Sequence, residues 1–93
     1  MVQIVENWAD VEGEVTRTSE RHGAMELELE VGAAHPVAGY PNLLADDVGR
    51  RIAIVLTGDA ATRPPEPGAR VRCRVRKAGL DRYYARSLTP AAG

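Results

Sequence analysis

Phenylalanine is absent from this chain and cysteine occurs once. A single thiol, Cys73, excludes an internal disulfide, and a reducing, cytoplasmic setting is the expectation. Only His22 and His35 accompany it, far apart, so no metal-ligand spacing arises. No apolar run approaches the ~20 residues that a helix needs to span a bilayer, and no membrane association is expected. The opening MVQIVENWAD lacks a basic patch before an apolar run, so no secretory leader is expected. There is no glycine-rich phosphate loop, and Ser19 and Ser87 occupy no nucleophile motif. These gaps leave no residue set for catalysis. A non-enzymatic protein without cofactor or metal is the expectation.

Ninety-three residues make one domain, 1–93, which buries roughly 65% of its unfolded surface around a single core. The net charge of −1 conceals a division along the chain. Residues 1–47 carry ten acids against Arg17 and Arg21, a net of −8. Residues 48–93 carry ten bases against Asp59, Glu66 and Asp81, a net of +7. Such asymmetry marks either nucleic-acid binding or two halves that fold against each other. Of the twelve bases only Lys77 is a lysine, so arginine is favoured everywhere and its choice at any one place carries little weight.

Alternation of apolar and polar residues with period two dominates. In WADVEGEVT, Ala9, Val11, Gly13 and Val15 share one face; Trp8, Asp10, Glu12 and Glu14 share the other. In AMELELEV, Met25, Leu27, Leu29 and Val31 alternate with Glu26, Glu28 and Glu30. In RRIAIVLT, Ile52, Ile54 and Leu56 agree. In ARVRCRVR, Val71, Cys73 and Val75 point inward and the arginines outward. RYYARSLT is a fifth strand whose inward parity is ambiguous. Strands are expected near 8–17, 24–31, 50–57, 69–77 and 82–89. One apolar and one charged face per strand belongs to an antiparallel sheet wetted on one side.

The connections agree with this reading. TSERHG and KAGLDR read as hairpins, the second with Gly79 available for a positive φ. GDAATRPPEPG holds three prolines and reads as surface loop rather than strand or stable helix. PNLLADDVG fits one helical turn stopped by Gly49. Five short strands are too few for two good sheets but close into a small barrel that hides its edges. Gly13, inside the first strand, suits the bend of a barrel corner.

The VEGEV first strand, the DVGRRIAIVL third strand and the pairing PGARVRCRV with GLDRYYARSL together resemble an OB-fold over Trp8 to Pro90. That resemblance implies an all-β, five-stranded Greek-key barrel with little or no helix. Many members carry a helix between strands three and four. Here the proline-rich Gly58–Gly68 loop stands in its place, and Pro41–Val48 is left to plug the barrel end. The resemblance also implies binding of single-stranded nucleic acid or oligosaccharide across strands two and three, with the loops between strands one and two and four and five. Other members serve only as protein-interaction modules.

The arginine row of the fourth strand poses the functional question. Alternate residues lie roughly 6.7 Å apart, so Arg70, Arg72, Arg74 and Arg76 span about 20 Å, enough to track an extended phosphate backbone. Bases would stack on aromatic side chains, supplied by Trp8, Tyr40, Tyr83 and Tyr84. Against this, strand one would present Asp10, Glu12 and Glu14 beside the row, and facing charges of opposite sign stabilise a sheet by roughly 0.2–1 kcal/mol per pair. Strand two adds a row of glutamates that repels phosphate. The anion-binding surface therefore fits best on strands three to five. Its expected residues are Arg50, Arg51, Arg72, Arg74, Arg76, Lys77, Arg82, Tyr83, Tyr84 and Arg86. Single-stranded DNA or RNA is the expected partner. The alternative is a protein partner or self-association, with the two charged faces mainly structural.

Of the remaining candidates, His22 reads as a solvated hairpin residue. His35 precedes Pro36 and is biased to an extended conformation, with no nucleophile or acid near it in sequence. Cys73 lies on the apolar parity and reads as a small buried hydrophobe. Glu26, Glu28 and Glu30 form a line rather than the cage that a hard cation needs. Trp8 reads either as a cap on the barrel end or as a contact for a partner.

Overall fold

The computed structural model describes residues 6–61 and 64–91, apart from the side chain of Asp59. Five strands form one sheet: β1 (Ala9–Arg21), β2 (Ala24–Pro36), β3 (Arg51–Leu56), β4 (Arg70–Gly79) and β5 (Arg82–Pro90). Their order is β1-β2-β3-β5-β4, and β4 returns to β1, so the sheet closes into a ring. Every pairing is antiparallel except β3 with β5, which is parallel and short: Ile54, Val55 and Leu56 stand beside Tyr83, Tyr84 and Ala85. The Thr57 amide and hydroxyl both reach the Ala85 carbonyl, at 2.8 and 3.0 Å, and extend this join.

The period-two pattern places the core where it is expected. Ala9, Val11 and Val15 of β1, Leu27, Leu29 and Val31 of β2, and Ile52, Ile54 and Leu56 of β3 are buried. So are Val71, Cys73 and Val75 of β4. The open parity of β5 resolves with Tyr83 and Ala85 inside and Tyr84 outside. Leu44, from the segment between β2 and β3, joins this cluster and fills one end of the ring. It sits just ahead of a 3₁₀ turn over Ala45–Asp47 that ends at Val48, already extended, rather than at the expected Gly49, which follows at φ 88°.

Three local expectations are corrected. β1 runs four residues further than the pattern suggested, because the hairpin turns on two residues, His22 and Gly23, rather than on all of TSERHG; β2 runs five residues further at its other end, where Ala33–Pro36 pair with the start of β1. His22 and Gly23 both have positive φ, 52° and 78°, which is what a two-residue turn matching strand twist demands. Gly79 is not in the left-handed region; it pairs with Arg82 at the end of β4, and the turn falls on Leu80 and Asp81. Gly58–Gly68 is not loop throughout. It opens with a 3₁₀ turn, Gly58–Ala61, that buries Ala60 in the core. Thr62 and Arg63 of that segment lie outside the described residues.

Gly13 stands at an irregularity of the β1–β2 ladder. The β1–β2 register slips between Glu12 and Gly13, leaving Gly32 as the extra residue of a bulge. A Cβ at Gly13 would collide with the Glu30 carbonyl and come within 3.0 Å of Leu29 Cγ. The Glu30 carbonyl cannot withdraw without moving β2, so glycine is required by closeness rather than by φ.

The end of the ring near Leu44 is tied by a buried carboxylate. Asp47 is 1% exposed, a costly place for a charge unless it is paired. The Tyr83 hydroxyl donates to its Oδ2 at 3.1 Å, and Arg50 Nη1 donates to its Oδ1 at 3.2 Å. Lys77 Nζ lies 3.8 Å from Oδ2 and 5.6 Å from the centre of the Tyr83 ring. Burial first, and then the Asp47 charge, push the Tyr83 phenol up to about 12.

Two stability outcomes follow. Gly13→Val should cost about 1–3 kcal/mol through overpacking, read from the urea midpoint, and a change within error would mean that β2 yields at Glu30. Tyr83→Phe removes a donor from a buried carboxylate and should cost about 1–3 kcal/mol, whereas Tyr84→Phe, on the outer face, should be close to neutral.

Candidate nucleic-acid interface on β4 and β5

The outer face of the ring inherits the charge division of the chain. β1 shows Asp10, Glu12 and Glu14; β2 shows Glu26, Glu28 and Glu30. β4 shows Arg70, Arg72, Arg74 and Arg76, and β5 shows Arg82, Tyr84 and Arg86. The two signs meet where β1 pairs with β4. There Asp10 stands beside Arg74, Glu12 beside Arg72 and Glu14 beside Arg70.

Register alone does not decide which charges pair. Asp10 takes both neighbouring arginines. Arg74 grips it in a fork, Nε to Oδ1 at 3.0 Å and Nη2 to Oδ2 at 3.2 Å, while Arg72 Nη2 donates to Oδ2 at 3.3 Å. The Arg74 hydrogen bond, followed by the charges of Arg74 and Arg72, holds the Asp10 carboxyl below its ordinary value against an opposing desolvation. The same contact raises Arg74. Glu12 turns the other way, to His35 Nε2 at 2.8 Å.

The ten expected residues thus fall into four groups. Arg50, Lys77 and Tyr83 surround buried Asp47. Tyr83 leaves the candidate surface: at 4% exposure its ring is core, and no base can stack on it. Arg72 and Arg74 are held by Asp10. Arg51 lies 3.9 Å from Glu30, both side chains more than half exposed, a geometry worth little in water. The fourth group is Arg76, Arg82, Arg86 and Tyr84. Among the described residues, none of these three arginines lies within ion-pair distance of an acid.

The fourth group is contiguous. Arg76 of β4 stands directly opposite Tyr84 of β5, and Tyr84 stands beside Val55 of β3. Arg86 is the extra residue where the β4–β5 register shifts between Arg74 and Val75. Its guanidinium lies 4.5 Å from the centre of the Trp8 ring, a stacked cation–π contact. Trp8 therefore belongs to this face; the sequence offered it as a stacking aromatic, though not among the ten residues of the expected surface. Its outward parity was legible; the bulge that brings Arg86 over it was not. Asn7 fixes its position. The Asn7 side chain is fully buried and donates Nδ2 to the Lys77 carbonyl at 2.8 Å, while its Oδ1 accepts the Lys77 amide at 2.9 Å. A side-chain amide thereby adds one more rung to the β1–β4 ladder immediately before Trp8.

No family model, no curated protein and no solved structure matches this chain.

The remaining reactive groups do not gather into a site. Cys73 is fully buried, and burial pushes its thiol up to about 12. His22 is exposed at its hairpin turn. Among the described residues, no three of His, Cys, Asp and Glu come together as a metal cage. No helix among them is long and apolar enough to cross a membrane.

The Asp10 fork carries a signed pH dependence. A carboxyl whose folded value is depressed contributes stability above its unfolded value, and that contribution fades as pH falls through the folded one. Asp10→Asn should therefore lower stability by about 1 kcal/mol at neutral pH. The gap to the parent should close in acid, as pH falls below the ordinary carboxyl value of 3.8 and through the lower folded one. Denaturant titrations of both proteins at the two pH values measure this, and a gap that persists in strong acid would show that Asp10 acts by packing.

Proposed function

We propose that this chain is a small non-enzymatic binding module, an OB-type Greek-key barrel, that holds single-stranded nucleic acid on the outer face of β4 and β5. One observation carries the reading: among the described residues, Arg76, Arg82 and Arg86 have no acid within ion-pair distance, on a surface that also presents Tyr84 and Trp8. Guanidinium groups bind phosphate oxygens, and aromatic faces receive bases whatever their sequence. The strand order of the ring supports the OB-type assignment. The binding surface differs from the one the resemblance implies, because the outer face of β2 is lined by Glu26, Glu28 and Glu30, which repel a phosphate backbone. The free thiol of Cys73 supports a reducing, cytoplasmic setting.

A second reading rests on the same division of charge. The acidic β2 face of one copy could meet the basic β4–β5 face of another, giving a salt-sensitive oligomer. The two readings separate in one titration. A fluorescently labelled single strand of about ten nucleotides, within the site size of one such barrel, should change anisotropy at low salt. Three phosphate contacts on a single strand give a slope near −2 in log K against log[salt]. Arg76→Ala and Arg82→Ala should each remove roughly 0.7 from that slope, while Arg72→Ala, whose guanidinium is engaged by Asp10, should remove less. A flat signal at low salt, with an oligomer that salt dissolves, would favour the second reading and end the first.

A further inference from the structure

The geometry points to a pocket for one unstacked base, of a kind that carries an amino group on its edge, between the β4–β5 hairpin and the segment before the Ala45–Asp47 turn. This inference rests on the nucleic-acid reading above and extends it to a base-selective subsite. A groove of about 630 Å³ lies there, walled by Leu43 and Leu80 and bounded by Asn42, Asp46 and Lys77. Its size falls within the roughly 300–1,000 Å³ of small-molecule sites, and so does its make-up of apolar walls with few polar groups.

Leu80 is the least expected residue in it. It occupies the tip of a tight hairpin and is 89% exposed, beside Leu43 at 38%. Two exposed leucines facing one groove gain by being covered. Charge says what should cover them. Lys77 is turned toward Asp47 at 3.8 Å, a carboxylate it shares with Arg50, so its ammonium is drawn away from the groove. Asp46 is an exposed carboxylate at the rim and turns phosphate away. Arg76 and Arg82, which have no ion-pair partner among the described residues, lie one residue before Lys77 and immediately after the turn. A strand whose phosphates follow those arginines arrives at the groove with a base, not a phosphate, to place in it. A base has apolar faces for the leucines. Asp46 can accept a hydrogen bond only from an N–H edge, the way acidic side chains read the cytosine amino group.

Cytosine and thymine differ little in ring size and differ at that edge, so they are the discriminating pair. Labelled oligo-deoxycytidine and oligo-deoxythymidine of about ten nucleotides should bind the parent protein unequally, the cytidine strand more tightly by about tenfold. Leu80→Ser should weaken the cytidine strand and bring the two together. Asp46→Asn should abolish the preference while leaving overall binding in place. Methyl NMR signals of Leu43 and Leu80 should shift on adding the cytidine strand.

The outcomes against the inference are distinct. Strand binding that treats the two sequences alike and leaves those methyls unmoved overturns the base pocket and spares the β4–β5 surface. No strand binding at all overturns both. A concentration-dependent dimer that Leu80→Ser dissolves would assign the groove to a second copy and overturn the pocket.

Discussion

One buried carboxylate organises the end of the ring on which the proposed surfaces converge. Asp47 reaches inward from the segment between β2 and β3 and collects the Tyr83 hydroxyl, the Arg50 guanidinium and the Lys77 ammonium. Those partners come from β5, from the approach to β3 and from β4. A carboxylate without them would be strongly disfavoured at that depth. With them it acts as a three-way tie. It also sets the parity of β5. With Tyr83 drawn in to Asp47, Tyr84 must face out, beside Arg76. The core and the candidate interface are thus fixed by the same contact.

The charge division has two physical roles rather than one. At the β1–β4 join it is structural: Asp10 engages Arg72 and Arg74, and the surface there is close to neutral. Further round, β5 has no acidic strand beside it, since its neighbours are β3 and β4. Among the described residues no acid lies within ion-pair distance of Arg76, Arg82 or Arg86, although Glu26 and Asp81 line the same hollow as Arg82. A row that looks uniform in sequence, arginine at every second position, is divided by topology into a paired part and an unpaired part.

That division explains what could be read in advance. The strands and their buried faces were legible because each strand is dry on one side only, so alternation reports the face directly. Gly13 stood out because a glycine interrupts an otherwise regular strand, but its reason, the close approach of the Glu30 carbonyl beside a bulge, was not legible. The parity of β5 was not, since Tyr83 and Tyr84 are adjacent residues of one type and only the distant Asp47 separates them. Nor was the fate of each arginine. It depends on Glu12 turning to His35 instead of to Arg72, and on a bulge that lifts Arg86 over Trp8. Such choices are made by side chains far apart in sequence, after the strands have met. Leu80 was legible only as a turn residue; its place in a groove appears when the β2–β3 segment folds alongside.

The ring is also unevenly sewn. β1 and β2 share a long ladder, whereas β3 and β5 are joined over just Ile54–Leu56 and Tyr83–Ala85, with Thr57 as a final stitch. These two strands are separated by the whole of β4 and can meet only when nearly everything between them is in place. Closure of this seam belongs late in folding, where loop entropy is greatest and contacts most remote. The same seam is the thinnest place in the wall, so brief openings of the folded protein should start there. Tyr84 sits on it, so the outer aromatic of the proposed interface rides on the one join whose breathing a bound strand, laid across β3 and β5, would quieten.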